Sequence, residues 1–505
     1  MPGIARIALA ATALAAAVQA VAPPAQNPLG NPKTKVVDSQ KLQDLIRIDN
    51  LSKRANELYA IAQLSEVDFN RPTRVIGSKG HEGTVKYLVD TLHSLGQYYT
   101  VSTQTFPLTT STVFESHLVV GDAVYQDAKP LSRTPPTKDK EPVHGPLVLV
   151  SRNGCEASDY PAAAKGGIVL VQRGECAFGV KSELAGQAGA KAAIIYNTDD
   201  DDVSGTLGEP TPNQVATFGI PNSRGTALVK KLHRGERIDA IAYIDAAVET
   251  VLTKNVIAQT TAGDPDHCVM LGGHSDSVEA GPGINDDGSG SLSLLEVAVQ
   301  LARFKVRNCV RFAWWSAEEE GLVGSTFYAN SLSPAENQKV RVFVDLDMLA
   351  SPNYAYQIYN STNGANPAGS EELRDLVVGW YESHGLNYTF SEFDGRSDYV
   401  GFIDNGIPAG GWSTGAEGVK TDEDVAMFGG TAGEWYDKNY HMIGDDVSNL
   451  NLEAWEINTK LIAHTVATYA RSFKGFPQRK QAASAVAADK GSGSHFKYRG
   501  PFSII

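Results

Sequence analysis

The chain has 505 residues, length for about three domains, with 42% hydrophobic and 20% charged residues. That balance excludes a disordered, collagenous or coiled-coil chain. Lys and Arg number 44 against 58 Asp and Glu, a net charge of −14, so nucleic-acid and anionic-membrane partners, which need a basic face, are not expected.

Arg6 precedes an apolar run, Ile7 to Val18, followed by small residues at Ala20 and Ala22 and then Pro23-Pro24. A basic start, a short apolar centre and a small-residue cleavage site predict a secretory signal peptide over 1–20. The run is shorter than the about 20 residues a membrane span needs. In an exported chain, Asn50, Asn360 and Asn387, each opening an Asn-x-Ser/Thr triplet, become candidate glycan acceptors.

A Pro/Asn-rich arm covers 23–34. Helical apolar spacing follows over 38–64 and about 80–95. Residues 128–142 read as a Pro/Lys/Thr-rich loop. Short β runs at Leu147–Val150, Ile168–Val171 and Ala192–Tyr196 surround an Ala/Gly-rich helix at 181–190. From 254 to 475, strands at about 268–273, 309–315 and 341–347 alternate with helices at 290–303 and 370–384. That alternation predicts an α/β fold: a mostly parallel mixed sheet with helices on both faces. A last helix is expected at 452–472, and the Ala- and Gly/Ser-rich tail, 476–505, is expected to lack fixed structure.

The three strands end in polar residues. The first ends in Gly-Gly-His274-Ser-Asp276, the second in Ser-Ala-Glu318-Glu319-Glu320, the third in Asp345-Leu-Asp347. Between the first two lies Gly281-Pro-Gly-Ile-Asn-Asp286-Asp287-Gly-Ser-Gly290. Sites in open α/β sheets form beyond the carboxyl ends of strands, so a His and several acids meet at one edge. Like charges gathered there raise one another's pKa unless a cation neutralises them. Imidazole with carboxylate and no thiolate suits Zn²⁺ and related divalent ions. Two metals sharing one carboxylate account for the number of acids.

These segments resemble the co-catalytic zinc aminopeptidases, the bacterial and fungal secreted enzymes that include aminopeptidase Y. The resemblance is carried by His274-Ser-Asp276, Gly283-Ile-Asn-Asp286-Asp-Gly-Ser-Gly290, Trp314-Trp-Ser-Ala-Glu318-Glu319-Glu-Gly321, Asp347-Met348 and Tyr440-His441, over about 40–115 and 250–475. By position it implies Asp286 as the carboxylate bridging two Zn²⁺, His274 and Asp347 completing one metal, and Glu319 and His441 the other. It implies Glu318 as general base and Tyr440 as donor to the developing oxyanion. Asp276 would hold the other nitrogen of His274. Asp287 could instead be the bridge; shaping the turn at Gly288 is the reading preferred. Period two puts Asp345 and Asp347 on one strand face, and the Asp-Met pair selects Asp347. Arg396, in a Gly-Arg-Ser-Asp segment, is expected either beside the substrate or paired locally with Asp398. Trp412 resembles a specificity-pocket wall, with plain core as the alternative.

Residues 116–250 resemble a β-rich protease-associated domain inserted between peptidase parts at 21–115 and 251–475. Gly166-Gly-Ile-Val-Leu-Val-Gln-Arg-Gly-Glu-Cys176-Ala-Phe-Gly-Val-Lys181 carries the likeness. No acid/base cluster accompanies it, so its expected role is that of a lid or flank. Cys155 and Cys176 both fall inside it and are expected to pair in an exported chain. Cys268 and Cys309 start neighbouring strands away from the metals, which leaves their pairing open and makes metal ligation unexpected.

The expectation is therefore a secreted two-zinc aminopeptidase acting on peptides with a free N-terminus, its oligomeric state left open with a monomer favoured. The rivals are another enzyme of the same fold (carboxypeptidase, dipeptidase or glutaminyl cyclase) and a receptor or adhesion module that has lost its metals.

Overall fold

A computed structural model describes residues 35–479 except 201, 202 and 204. The expected signal peptide, the 23–34 arm and the tail from 480 onward lie outside the described residues.

Four parallel strands form the centre of a mixed sheet. Their order is Ala409–Ser413, Val340–Leu346, Asp264–His274 and Asn308–Trp315. The direction is fixed by registers such as Trp315 opposite His274 and Asp345 opposite Gly272. Antiparallel neighbours flank them: Gln357–Tyr359 on one side and Asp239–Thr260 on the other. The central strands are mostly apolar because helices cover both faces, with Arg311, Arg341 and Asp345 as buried exceptions. Val269, Leu271, Val310, Phe312, Val342 and Val344 point into one core. The first-face helices there include Ile48–Ala62, Gly288–Leu301 and Leu452–Arg471. Met270, Ala313, Trp315 and Phe343 point into the other core, under Val323–Ser331 and Tyr399–Asp404. The alternation follows from the strand's period of two.

Tyr99–Val120 and Asp239–Thr260 were not legible as a unit in the sequence. They form one antiparallel ribbon, 22 residues in each strand, paired from Tyr99–Thr260 to Val120–Ala240. Thr and Ser dominate Tyr99–Val120, so no apolar run announces it. The ribbon leaves the main sheet and carries the inserted domain at its far end. There Val143–Leu149, Ile168–Gln172, Ala192–Tyr196 and Ala216–Ile220 run parallel to one another. The helices Phe178–Gln187 and Asn222–His233 pack alongside these strands.

Both cysteine pairs are disulfides. Cys155 and Cys176 join with Cα atoms 5.8 Å apart. Cys268 and Cys309 face each other across two parallel strands, Cα atoms 4.5 Å apart, so the pairing left open by the sequence is made. Of the glycan candidates, Asn387 is exposed and donates to the Met427 carbonyl at 3.0 Å. Asn360 is half-buried. Asn50 lies in a helix with its amide on the buried carboxylate of Glu296 at 2.8 Å, a poor exit for a sugar chain. Among the described residues, no helix is long and apolar enough to cross a membrane.

Candidate metal centre

His274, Glu318, Glu319 and Asp347 stand at or just past the carboxyl ends of three adjacent strands, and the loop before Gly288–Leu301 brings Asp286 among them. His441 reaches in from a loop more than 150 residues later in sequence, so only the fold assembles the set. Asp286 is turned so that its two oxygens diverge. Oδ1 lies 3.1 Å from His274 Nε2, and Oδ2 lies 3.2 Å from His441 Nε2. His441 Nε2 is also 3.1 Å from Glu319 Oε2, and His274 Nε2 is 3.7 Å from Asp347 Oδ1. Glu318 Oε2 is 3.9 Å from His274 Nε2. Every one of the five expected ligand residues thus converges.

Two foci of donor atoms result, one at Asp286, Glu319 and His441 and one at His274, Asp347 and Asp287. Asp287 shares the second focus, yet its oxygens are already occupied. Oδ1 accepts from the backbone N–H of Gly290 at 2.8 Å and of Met348 at 3.2 Å, and Oδ2 from that of His274 at 3.0 Å. It caps the helix and ties three segments together, which suits a turn-shaping acid.

The remaining atoms fit cations. Glu319 Oε1, Asp347 Oδ1 and Asp276 Oδ2 are buried without a hydrogen-bond partner, a costly state unless something positive meets them. The protonation balance points the same way. Burial lowers the His274 pKa, but the carboxylates of Glu318, Asp286 and Asp347 outweigh it and hold the imidazole well above its ordinary value. Burial likewise opposes His441, and Glu319 and Asp286 push it up to about 10. Burial raises the Glu318 carboxyl well above the usual range, with the Glu319 and Asp398 charges adding to it and His274 opposing.

Asp276 does not hold His274 as expected. Its carboxylate is 3.8 Å from Nδ1, whereas its backbone carbonyl is 3.2 Å away. The chain turns after the strand and puts the carbonyl in that place; Asp276 Oδ1 instead accepts from the Glu318 N–H at 3.3 Å. Ser397 Oγ donates to Asp347 Oδ2 at 2.9 Å, steadying it.

A cavity of about 310 Å³ opens from these groups and is lined by Tyr359, Glu392, Asp394, Arg396, Glu417 and Tyr440 among others. Arg396 faces it and is paired with Glu417 at 2.5 Å rather than with Asp398. Its other nitrogen donates to Tyr440 Oη at 3.1 Å, leaving the phenol proton free to point elsewhere. Burial and the Asp286 and Glu319 charges raise the Tyr440 pKa well above its ordinary value, so the phenol stays a donor. The Tyr440 and His441 rings stack at 3.8 Å. Trp412 is not a wall of this cavity. It is fully buried in the core beneath the sheet, because Ala409–Ser413 is a central strand. Trp412→Ala should cost about 3–5 kcal/mol in urea unfolding, and Trp412→Phe should leave KM within about twofold.

Three buried residues to which the sequence reading gave no role hold the site together. Arg74 donates to the carbonyls of Pro282 at 2.8 Å and Gly283 at 2.6 Å, and also to that of Ser275. Asp445 accepts from the N–H groups of Asn285 at 2.9 Å and Asp286 at 3.0 Å. Asn285 Nδ2 donates to Asp437 at 2.7 Å. Arg74 and Asp445 lie outside the motifs and Asn285 within one, and each acts on a partner far away in sequence.

A mostly parallel α/β sheet with His and carboxylate donors beyond its strand ends defines a metallohydrolase. Comparison with known proteins makes this specific. The chain belongs to peptidase family M28, whose model matches residues 255–466, and a PA domain matches 143–228. It is 48% identical over 481 residues to aminopeptidase Y of Saccharomyces cerevisiae, covering 93% of this chain and 87% of that one. An aminopeptidase from Aneurinibacillus sp. strain AM-1 superposes with a TM-score of 0.69 at 27% identity, covering 88% of this chain and 98% of that one. A zinc aminopeptidase from Bacillus subtilis shares the fold, with a TM-score of 0.59 at 24% identity, covering 87% of this chain and 97% of that one. The expectation of a hydrolase of the aminopeptidase type stands.

Proposed function

We propose that this chain is an exported two-zinc aminopeptidase that removes the N-terminal residue of peptides. The observation that carries the reading is the divergence of the Asp286 oxygens toward His274 and His441. His274, Asp286 and Asp347 would hold one Zn²⁺, and Asp286, Glu319 and His441 the other. Bound there, zinc supplies Lewis acidity: it lowers the pKa of water and polarises a carbonyl.

The protein's own groups do the rest. Glu318 takes a proton from the attacking water as its oxygen bonds to the peptide carbonyl carbon. The same carboxyl returns that proton to the leaving nitrogen as the C–N bond breaks. Tyr440 donates its phenol proton in a hydrogen bond to the carbonyl oxygen as charge develops there. Arg396 fixes that phenol through its 3.1 Å bond. Asp276 orients His274 through its carbonyl and Glu318 through its carboxylate.

An aminopeptidase is favoured over a carboxypeptidase because the cavity's Arg396 is already neutralised by Glu417. The surplus of carboxylates, with Glu392 and Asp394 also lining the cavity, suits an α-ammonium and repels a C-terminal carboxylate. Export is supported by the leader-like 1–20 segment and the two disulfides, which suit an oxidising compartment. The division into 21–115, 116–250 and 251–475 belongs to the same reading.

Leucine p-nitroanilide and its N-acetyl form test the reading. The free amine should be hydrolysed and the acetylated form lose more than about 10²-fold in kcat/KM, as a site built for a charged group rejects its absence. Equal rates on both, or cyclisation of N-terminal glutamine without hydrolysis, would overturn it.

A further inference from the structure

Glu318 and Glu319 ride on a loop whose own backbone bonds, from the Gly321 and Leu322 N–H groups to the Glu318 carbonyl at 2.8 Å and from the Val323 N–H to the Ala317 carbonyl at 2.9 Å, close a turn but leave its ends to be anchored. It runs from Ser316, after the Asn308–Trp315 strand, to Gly324 at the start of the Val323–Ser331 helix. Within it Ala317 has φ 63° and Leu322 φ 58°. Left-handed non-glycine residues persist only where the surroundings over-determine them.

The surroundings here are the ribbon that carries the inserted domain. Asn255, on the Asp239–Thr260 strand, is fully buried. Its Oδ1 accepts from the Ser316 N–H at 3.0 Å, and its Nδ2 donates to the Gly324 carbonyl at 2.8 Å. One amide therefore ties both ends of the loop. Its second Nδ2 proton goes to Gln104 Oε1 at 3.1 Å. Gln104 is its direct partner across the ribbon, so the opposite strand fixes which way round the amide sits.

Other contacts converge on the same loop. Thr253 Oγ1 hydrogen-bonds Ser316 Oγ. Leu108 and Val251, one from each ribbon strand, pack with Ala317 and Val323. Arg133 of the inserted domain lies 3.9 Å from Glu320, the residue after Glu319. The fit around Asn255 is close: a Cβ on Gly324 would stand 2.2 Å from the Ser316 carbonyl oxygen and 2.4 Å from Asn255 Oδ1.

We infer that Asn255, oriented by Gln104, is a positioning residue that sets Glu318 and Glu319 from the base of the ribbon. This rests on the proposed roles of Glu318 as base and Glu319 as ligand. It assigns Asn255 no contact with substrate.

Asn255→Ala and Gln104→Leu test it, with three readouts. First, kcat for leucine p-nitroanilide should fall by about 10- to 100-fold in Asn255→Ala, the effect usual for outer-shell partners, with KM within about twofold. Second, competition with a chelator should show one zinc released at about 10- to 100-fold higher free zinc. Third, amide hydrogen exchange across 316–324 should quicken. Gln104→Leu, on a half-buried residue, should move all three in the same direction by less, and it decides the matter if Asn255→Ala does not fold. Folded variants with wild-type kcat and zinc affinity would overturn the inference, even if exchange quickens, because the contact would then be structural only. If the wild-type chain itself fails to hydrolyse the anilide, the reading of the site fails. Hydrogen exchange in the same variants still decides whether Asn255 holds the loop.

Discussion

Replacing Glu318 by Gln lowers kcat by about 10²- to 10⁴-fold, the range general acid–base groups contribute, with the zinc content of the wild type retained. The change keeps the volume of the side chain and touches none of the five converging ligands. It removes only the capacity to take up and return a proton. Glu318 is suited to that task because it is buried beside the ligands, its Oε2 3.9 Å from His274 Nε2, while five other residues take the ligand positions. The loss corresponds to about 3–5 kcal/mol of barrier. KM should change little, since the group acts on water and not on the bound peptide. Metal analysis beside steady-state kinetics checks it. Loss of zinc together with activity would make Glu318 a ligand and shift the register of the acidic triplet by one; retained turnover would mean another base.

The strand ends were legible because each couples a β run to a short polar signal. Val-Met-Leu-Gly-Gly before His274 and Val-Arg-Phe-Ala-Trp-Trp before Glu318 state both the element and the point where it stops. A parallel sheet then has one edge at which such ends meet. His441 was legible only through resemblance, since its loop has no regular structure. The groups that hold the site were not legible at all. Arg74, Asn255 and Asp445 are buried polar residues whose partners are backbone groups of distant segments. Nothing in their own neighbourhoods distinguishes them from surface residues. Trp412 failed for a related reason: strand and pocket wall use the same residue types, and only the neighbouring strands Val340–Leu346 and Gln357–Tyr359 show that it is enclosed. The ribbon was missed because Tyr99–Val120 is rich in Thr and Ser and gives no clean apolar period, although Asp239–Thr260 alternates buried Ala240, Ala242, Ile244 and Ala246 with less buried neighbours.

The second large effect is expected at Asp286. Asp286→Asn should drop zinc from two per chain to one or none and reduce kcat by at least about 10³-fold, since both the Lewis acidity and the placement of water depend on the metals. An amide offers one oxygen where the carboxylate offers two. Whichever way it turns, an N–H₂ group faces either the His274 side or the His441 side, where a cation and its ligands need an acceptor. The neighbour Asp287 supplies the contrast. Its oxygens are spent on the N–H groups of Gly290, Met348 and His274, so Asp287→Asn should lower Tm while both metals remain. Stability gives a further readout. A metal that binds only the folded chain adds about 4 kcal/mol at a thousandfold excess over its Kd. A chelator should therefore lower the Tm of the wild type and of Asp287→Asn, but have less effect on Asp286→Asn. Two zincs retained in Asp286→Asn, or lost from Asp287→Asn alone, would move the bridge by one residue and redraw the ligand set around it.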